Sequence, residues 1–185
     1  YEVSDPTIDS QIVALKGSGA DAYFNIATPK FAAMAIRKAA DIGWKPQQYL
    51  NNTAASVGSV LTPAGLDKST GIITTQYLMD PTDPRYQNDP AMVEWRAFMA
   101  KHYPEGNLTD SNNIYGYVVA QGLVQVLKQC GDDLTRANVM KQAASLKDFM
   151  PKGMLPGIKV NTSADDFGPI QSEQLVRFDG KQWVP

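Results

Sequence analysis

The sequence has one cysteine and one histidine among its 185 residues. A lone thiol excludes an intramolecular disulfide framework and a cysteine-rich zinc site. Long hydrophobic runs are missing too, which excludes a membrane-spanning helix. Basic residues are not in excess. Lys and Arg number 17 against 19 Asp and Glu, a net charge of -2, so the chain lacks the basic footprint that nucleic acid or an anionic membrane requires. There is no G-x-S-x-G, no H-E-x-x-H and no Walker loop. What is present is the composition of a folded domain, 43% apolar and 19% charged, which sets disorder and low complexity aside. The chain does not begin with Met, and Tyr1-Glu2-Val3 reads as the end of a strand. It is therefore expected to be a piece of something longer.

Helices and strands alternate at first. Asp5-Pro6-Thr7 opens a helix with Ile8, Ile12 and Leu15 on one side, and Gly17 and Gly19 end it. Asp21 to Ile26 is a short apolar run that reads as a buried strand. Thr28-Pro29 supplies an N-cap and a first-turn proline for a helix presenting Ala32, Ala35, Ile36, Ala39 and Ile42. Strands are expected at Gln48 to Leu50 and Gly71 to Tyr77, with a weaker helix near Ser56 to Leu61. This order predicts an α/β fold, a Rossmann-like parallel sheet with helices on both faces.

Residues 85 to 148 read as helical with no strand. Asp89-Pro90 caps a helix carrying Met92, Trp95 and Met99. Tyr115, Val118, Val119, Gly122, Leu123, Val126, Leu127 and Cys130 form a stripe at helical spacing. Thr135 caps a further helix, with Leu134 and Val139 placed for a hydrophobic staple. Ile158 to Val160 and Gln174 to Phe178 alternate as strands, and Asp179-Gly180 is a hairpin turn leading to Gln182-Trp183-Val184. A helical block without a sheet is expected to pack on a sheet that this chain does not contain.

Few residues suit chemistry. Gly17 to Ala22 matches G-x-G-x-x-A, but the helix comes before it and the strand after, the reverse of a dinucleotide site. His102 falls in the last turn of a helix, where a cation meets the negative end of the dipole, with no nucleophile nearby. Cys130 lies on the apolar stripe and reads as a buried thiol. Asp80, Asp83 and Asp89 lack the glycine and terminal glutamate of a calcium loop. Three Asn-x-Ser/Thr matches, at Asn51, Asn107 and Asn161, are chance-level patterns. No catalytic residue, metal site or cofactor is expected.

In open parallel sheets ligands bind beyond the carboxyl ends of the strands. Two loops fall there. One is Ala27-Thr28-Pro29-Lys30-Phe31, where a helix N-terminus offers backbone N–H groups to an anion. The other runs from Asn51, Asn52 and Thr53 to Ser56 and is dense in amides and hydroxyls. Capping and ordinary turn formation are the alternative roles. These groups can hold a small polar ligand and are not suited to breaking bonds.

The residues Asp9-Ser10-Gln11-Ile12, Gly19 to Phe24 and Ala39 to Trp44 resemble the second lobe of type I periplasmic solute-binding proteins. More narrowly, they are similar to the branched-chain amino acid (leucine/isoleucine/valine) binding family of ABC importers. Asn113 to Tyr117 and the Gly157-Ile158-Lys159 to Asp179-Gly180 region follow in the same order. The resemblance implies a fold of two Rossmann-like lobes, of which this chain would be the C-terminal half. Residues 1–77 would be the latter part of lobe 2, 78–154 a helical segment packed on lobe 1, and 155–185 a β-rich return to lobe 2.

The resemblance also implies function: an extracytoplasmic, periplasmic, non-enzymatic component that captures a small solute between two lobes and delivers it to a membrane permease. Its partners would be the solute, the missing N-terminal half and the permease, with no nucleic acid. Amino-acid-binding relatives carry an acidic residue for the ligand ammonium in lobe 2. The matching positions here, Thr28 and the Asn52-Thr53 neighbourhood, are not acidic. A small carboxylate is the expected solute: a carboxylate without an ammonium group, an aromatic or short-chain acid, is the more natural one, with an amino acid left as the alternative. Asn112, Asn113 and Tyr115, where the chain would re-enter lobe 1, complete the candidate ligand set. A ligand-sensing regulator and an α/β enzyme with its catalytic residues in another half remain alternatives.

Overall fold

The structure is a computed structural model and describes residues 1–185. The chain forms two compact units. Unit 1 comprises Tyr1–Gln76, Thr109–Ser111 and Leu175–Pro185, and unit 2 comprises Tyr77–Leu108 and Asn112–Gln174.

Unit 1 is α/β, as the alternating pattern predicts. Its elements are α1 (Asp9–Gly17), β1 (Ala22–Asn25), α2 (Pro29–Asp41), β2 (Gln47–Leu50), α3 (Thr62–Ala64), α4 (Leu66–Ser69), β3 (Ile73–Gln76), β4 (Gln174–Phe178) and β5 (Trp183–Val184). The sheet order is β1-β2-β3-β4-β5. Strands β1 and β2 run parallel from Ala22↔Gln47 to Asn25↔Leu50. Strand β3 joins β2 in parallel at Tyr49↔Ile73, and β4 and β5 form an antiparallel hairpin. The weak helix expected near Ser56 is a single wide turn over Val57–Leu61. The chain continues through Pro63 into α3 and breaks only at Gly65, whose φ of +107° is closed to most side chains.

The apolar face of α2 is buried as its spacing predicts: Ala32, Ala35, Ile36 and Ala39 have no exposed surface. Ile8 and Ile12 of the α1 region join this core, whereas Leu15 is exposed. Lys38 of α2 meets Asp9 of α1 at 2.7 Å. That ammonium holds the Asp9 carboxyl below its ordinary range.

Strand β1 is buried on one face only, which corrects the expectation of a fully buried strand. Asn25 points to α2 and donates from Nδ2 to the Ala32 carbonyl at 3.4 Å. Tyr23, on the same face, packs on Trp44 at 5.3 Å. Burial, with Tyr1 adding to it, pushes the Tyr23 hydroxyl up to about 12. Phe24 and Ile26 face the other way and are 66% and 82% exposed. Phe24 stacks on its register partner Tyr49, with ring centroids 4.8 Å apart. Right-handed crossovers explain the asymmetry. From β1 to β2 to β3 the strands advance in one direction, so their connections fall on one side of the sheet.

Unit 2 is built on α5 (Pro90–His102), α6 (Ser111–Cys130, all but its first residue) and α7 (Arg136–Ala143). Its β structure is limited to the bridges Leu78↔Met154, Phe149↔Val160 and Val160↔Ile170 and the first residue of β4. The strand expected at Ile158 to Val160 shrinks to these bridges. Met92, Trp95 and Ile114 are fully buried. The apolar stripe of α6 is wider than its buried face: Val118, Val126 and Cys130 are buried, while Tyr115, Val119, Leu123 and Leu127 are exposed. Leu134 is exposed as well, while Val139 packs against the unit 2 core.

The caps of α5 and α7 behave as their residue types predict. Thr135 accepts from the Asn138 amide, and Asp89 accepts from the Ala91 amide at 2.8 Å. Replacing Asp89 by alanine strands that donor and is expected to cost about 1 kcal/mol. A urea titration followed by circular dichroism reads this loss, and an unchanged midpoint would remove the cap from the account of α5.

Candidate ligand-binding site

The two strand-end loops come together at the carboxyl ends of β1 and β2. The parallel register, which pairs Asn25 with Leu50, brings both strands to their ends at the same level. Thr28 is the N-cap of α2 in extended conformation, with Pro29 in the first turn. Its hydroxyl makes no cap bond to the helix, and the residue is exposed. Thr28 thus stands exposed at the N-terminus of a 13-residue helix, where an anion is favoured.

Phe31 lies elsewhere. It has no exposed surface and its ring packs on Tyr1 with centroids 4.6 Å apart. It anchors the first turn of α2 in the core from behind the loop. Pro29 is half-buried and shapes the entry to the helix.

The second loop is a short 3-10 turn over Asn52–Ala54. Asn51 caps it, its Oδ1 accepting from the Ala54 amide at 3.2 Å. The Thr53 hydroxyl also donates to Asn51 Oδ1. Asn52 is half-buried and Thr53 is exposed. Beyond them Ser56 is buried, with its Oγ accepting from the amides of Ser59 at 3.3 Å and Ser111 at 3.2 Å. Ser59 Oγ donates to Asp110 Oδ1 at 3.0 Å. Residues 109–111 are thereby held in unit 1, a return contact that sequence periodicity did not reveal.

Asn112, Asn113 and Tyr115 belong to unit 2. Asn113 Nδ2 donates to the Asn107 carbonyl at 2.8 Å, so it ties the loop before α6. Tyr115 is half exposed. Burial raises the Tyr77 hydroxyl above its ordinary range, and the neighbouring Tyr115 and Glu173 add to the shift. Sequence reading did not single out Tyr77, because it stands in no motif and only the fold sets it beside Tyr115. No group of three or more His, Cys, Asp or Glu side chains is placed to hold a metal ion, and no helix is long and apolar enough to cross a membrane.

In parallel α/β sheets, polar groups beyond the carboxyl ends of the strands are where ligands bind. Comparison with known proteins defines the class. The model of the periplasmic binding protein family matches residues 1–182, and the chain belongs to that family. No curated protein matches it. Among solved structures, a substrate-binding periplasmic protein from Ralstonia solanacearum matches 97% of this chain and 49% of its own, with TM-score 0.81 and 20% identity. A branched-chain amino acid ABC transporter protein from Thermus thermophilus with bound valine matches 95% and 47%, with TM-score 0.78 and 13% identity. A possible leucine/isoleucine/valine-binding protein from Rhodopirellula baltica matches 89% and 42%, with TM-score 0.69 and 20% identity. The fold is that of the type I periplasmic binding proteins, and the chain spans about half the length of these relatives.

Proposed function

We propose that this chain is part of an extracytoplasmic solute receptor serving an ABC importer, and that its strand-end loops form one wall of the site for a small carboxylate. The observation that carries the reading is Thr28, an exposed helix N-cap whose side chain makes no cap bond, at a helix end where backbone N–H groups lack intrahelical partners. Such a cluster favours a carboxylate. Asn52 and Thr53 add polar groups from the adjoining loop. No acidic side chain stands at positions 28, 52 or 53, which favours an aromatic or short-chain acid over a zwitterion that needs an ammonium partner.

The role we read is binding: the family matched over residues 1–182 is one of periplasmic binding proteins, and the loops offer hydrogen-bond donors and acceptors. The opposite wall comes from the other lobe of the receptor, and ligand contacts to both lobes shift an open form to a closed one. The exposed Phe24 and Ile26 face and the exposed half of the α6 stripe are suited to the N-terminal half of the same protein, consistent with relatives about twice as long. The remaining partner is a membrane permease.

Isothermal titration of the intact protein with benzoate, butyrate, L-valine and L-leucine tests the reading. Benzoate or butyrate is expected to bind and the two amino acids to bind at least tenfold more weakly. Thr28→Val, which keeps the side-chain shape, is expected to weaken acid binding about tenfold by removing one hydrogen bond to a charged group. Tight selection of the zwitterions, or an unaltered affinity in the variant, would overturn it.

A further inference from the structure

We infer that Asn51 is a positioning residue, a latch that fixes the spacing of the two ligand-facing loops without touching the ligand itself. The inference rests on the reading of those loops as a carboxylate site. Its ground is the complete use of the Asn51 side chain. Nδ2 donates to the Asn25 carbonyl at 3.2 Å and to the Ala27 carbonyl at 3.0 Å. Oδ1 accepts from the Ala54 amide at 3.2 Å and from the Thr53 hydroxyl. An amide offers two donor hydrogens and two acceptor lone pairs, and all four are engaged. The orientation of the amide is fixed by its surroundings. Two carbonyl oxygens lie on one side and two donors on the other, so the flipped amide would oppose like with like on both sides.

The placement gives the latch its function. The Ala27 carbonyl immediately precedes Thr28. Ala54 and Thr53 close the turn that carries Asn52. Beyond the strand ladder, the Asn51 amide also donates to the Asn25 carbonyl, at 3.1 Å. One side chain therefore sets how far the Thr28 hydroxyl stands from the Asn52 turn. Only an amide can do this. Aspartate keeps the acceptor side but turns a negative oxygen on two carbonyls. Protonated aspartic acid restores one donor. Alanine loses both sides.

The test compares wild type, N51A and N51D in the intact protein, with benzoate as the probe, between pH 5 and pH 7.5. Both variants are expected to bind benzoate about tenfold more weakly at pH 7.5, as for one or two lost hydrogen bonds. N51D is expected to regain affinity relative to wild type as pH falls and the new carboxyl protonates, whereas N51A is not. Amide hydrogen exchange supplies the ligand-independent readout. In N51A the amides of Asn51, Ala54 and Ala55 should lose protection while those of α2 keep theirs. Unchanged protection at Asn51 and Ala54 in N51A overturns the latch. So does equal affinity of all three proteins, or a parallel pH profile for N51D and N51A. If wild type binds no benzoate, the carboxylate reading fails by itself, and exchange together with the pH dependence of N51D stability decides the latch.

Discussion

Replacing Trp183 by alanine is expected to cost unit 1 about 3–5 kcal/mol, the range for removing a large buried aromatic. Trp183 sits in the two-residue strand β5 and is 1% exposed. Its ring meets Phe178 edge-on, with centroids 5.3 Å apart and an interplanar angle of 62°. Its Nε1 donates to the Ala55 carbonyl at 2.9 Å. One side chain thus fills the core beneath the hairpin and holds the polypeptide just beyond the Asn51–Thr53 loop. Whole domains are stable by only about 5–15 kcal/mol, so this loss brings unit 1 close to unfolding. Trp183→Phe separates the two contributions. It keeps most of the volume but leaves the Ala55 carbonyl without that donor, at about 1–3 kcal/mol. Urea unfolding followed by far-ultraviolet circular dichroism measures both variants. A W183A protein within 1 kcal/mol of wild type would mean that β5 is peripheral to the core.

A side chain at position 58 is expected to expel the Thr109–Ser111 segment from unit 1. A Cβ on Gly58 would lie 2.2 Å from the Thr109 carbonyl oxygen and 2.7 Å from Thr109 Cβ. A main-chain oxygen cannot rotate aside as a flexible side chain can. The substitution therefore breaks the seat that Ser56 and Ser59 offer to Ser111 and Asp110. Gly58→Ala is expected to destabilise by about 1–3 kcal/mol, as for overpacking elsewhere, and Gly58→Val by more. Exchange at the Ser111 amide, whose acceptor is Ser56 Oγ, should rise first and most. Preserved protection there would show that the wide turn over Val57–Leu61 yields instead.

The pattern of elements was legible because it rests on local chemistry. Pro29 after Thr28, and alanines and isoleucine at one-face spacing, specify α2 almost to the residue. Asp89-Pro90 and Thr135 mark helix starts for the same reason. The misreadings share a physical cause. An apolar residue reports that a surface is to be covered, not which part of the molecule covers it. Phe24 and Ile26 look like a strand buried on both sides, yet the helices of unit 1 cover the other face. Tyr115, Val119, Leu123 and Leu127 look like part of one stripe, yet the core of unit 2 takes only its neighbours Val118, Val126 and Cys130.

The candidate site was legible as a place, the strand ends, because topology fixes where a parallel sheet leaves polar groups. The roles within it were not. An asparagine reads the same in sequence whether it faces a ligand or spans two carbonyls, and only its neighbours in space decide. Phe31 follows Thr28 by three positions, yet the helical turn carries it into the core. The return of Thr109–Ser111 to unit 1 is made by polar residues with no periodicity, and nothing local announces it.

The sheet of unit 1 also sets an order of assembly. Its first three strands lie within residues 22–76, but β4 and β5 come after residue 173, and the Trp183 to Ala55 bond spans 128 positions. Closing so long a loop is slow relative to local contacts, and chains emerge from the ribosome amino end first. A ribosome that has delivered residues 1–174 therefore carries every residue of unit 2, while β3 still waits for its neighbour and the Phe178–Trp183 corner of the core is missing. On this account a nascent chain stalled at that length presents protease-resistant unit 2 and protease-sensitive unit 1. Extension through Trp183 is expected to make unit 1 resistant as well.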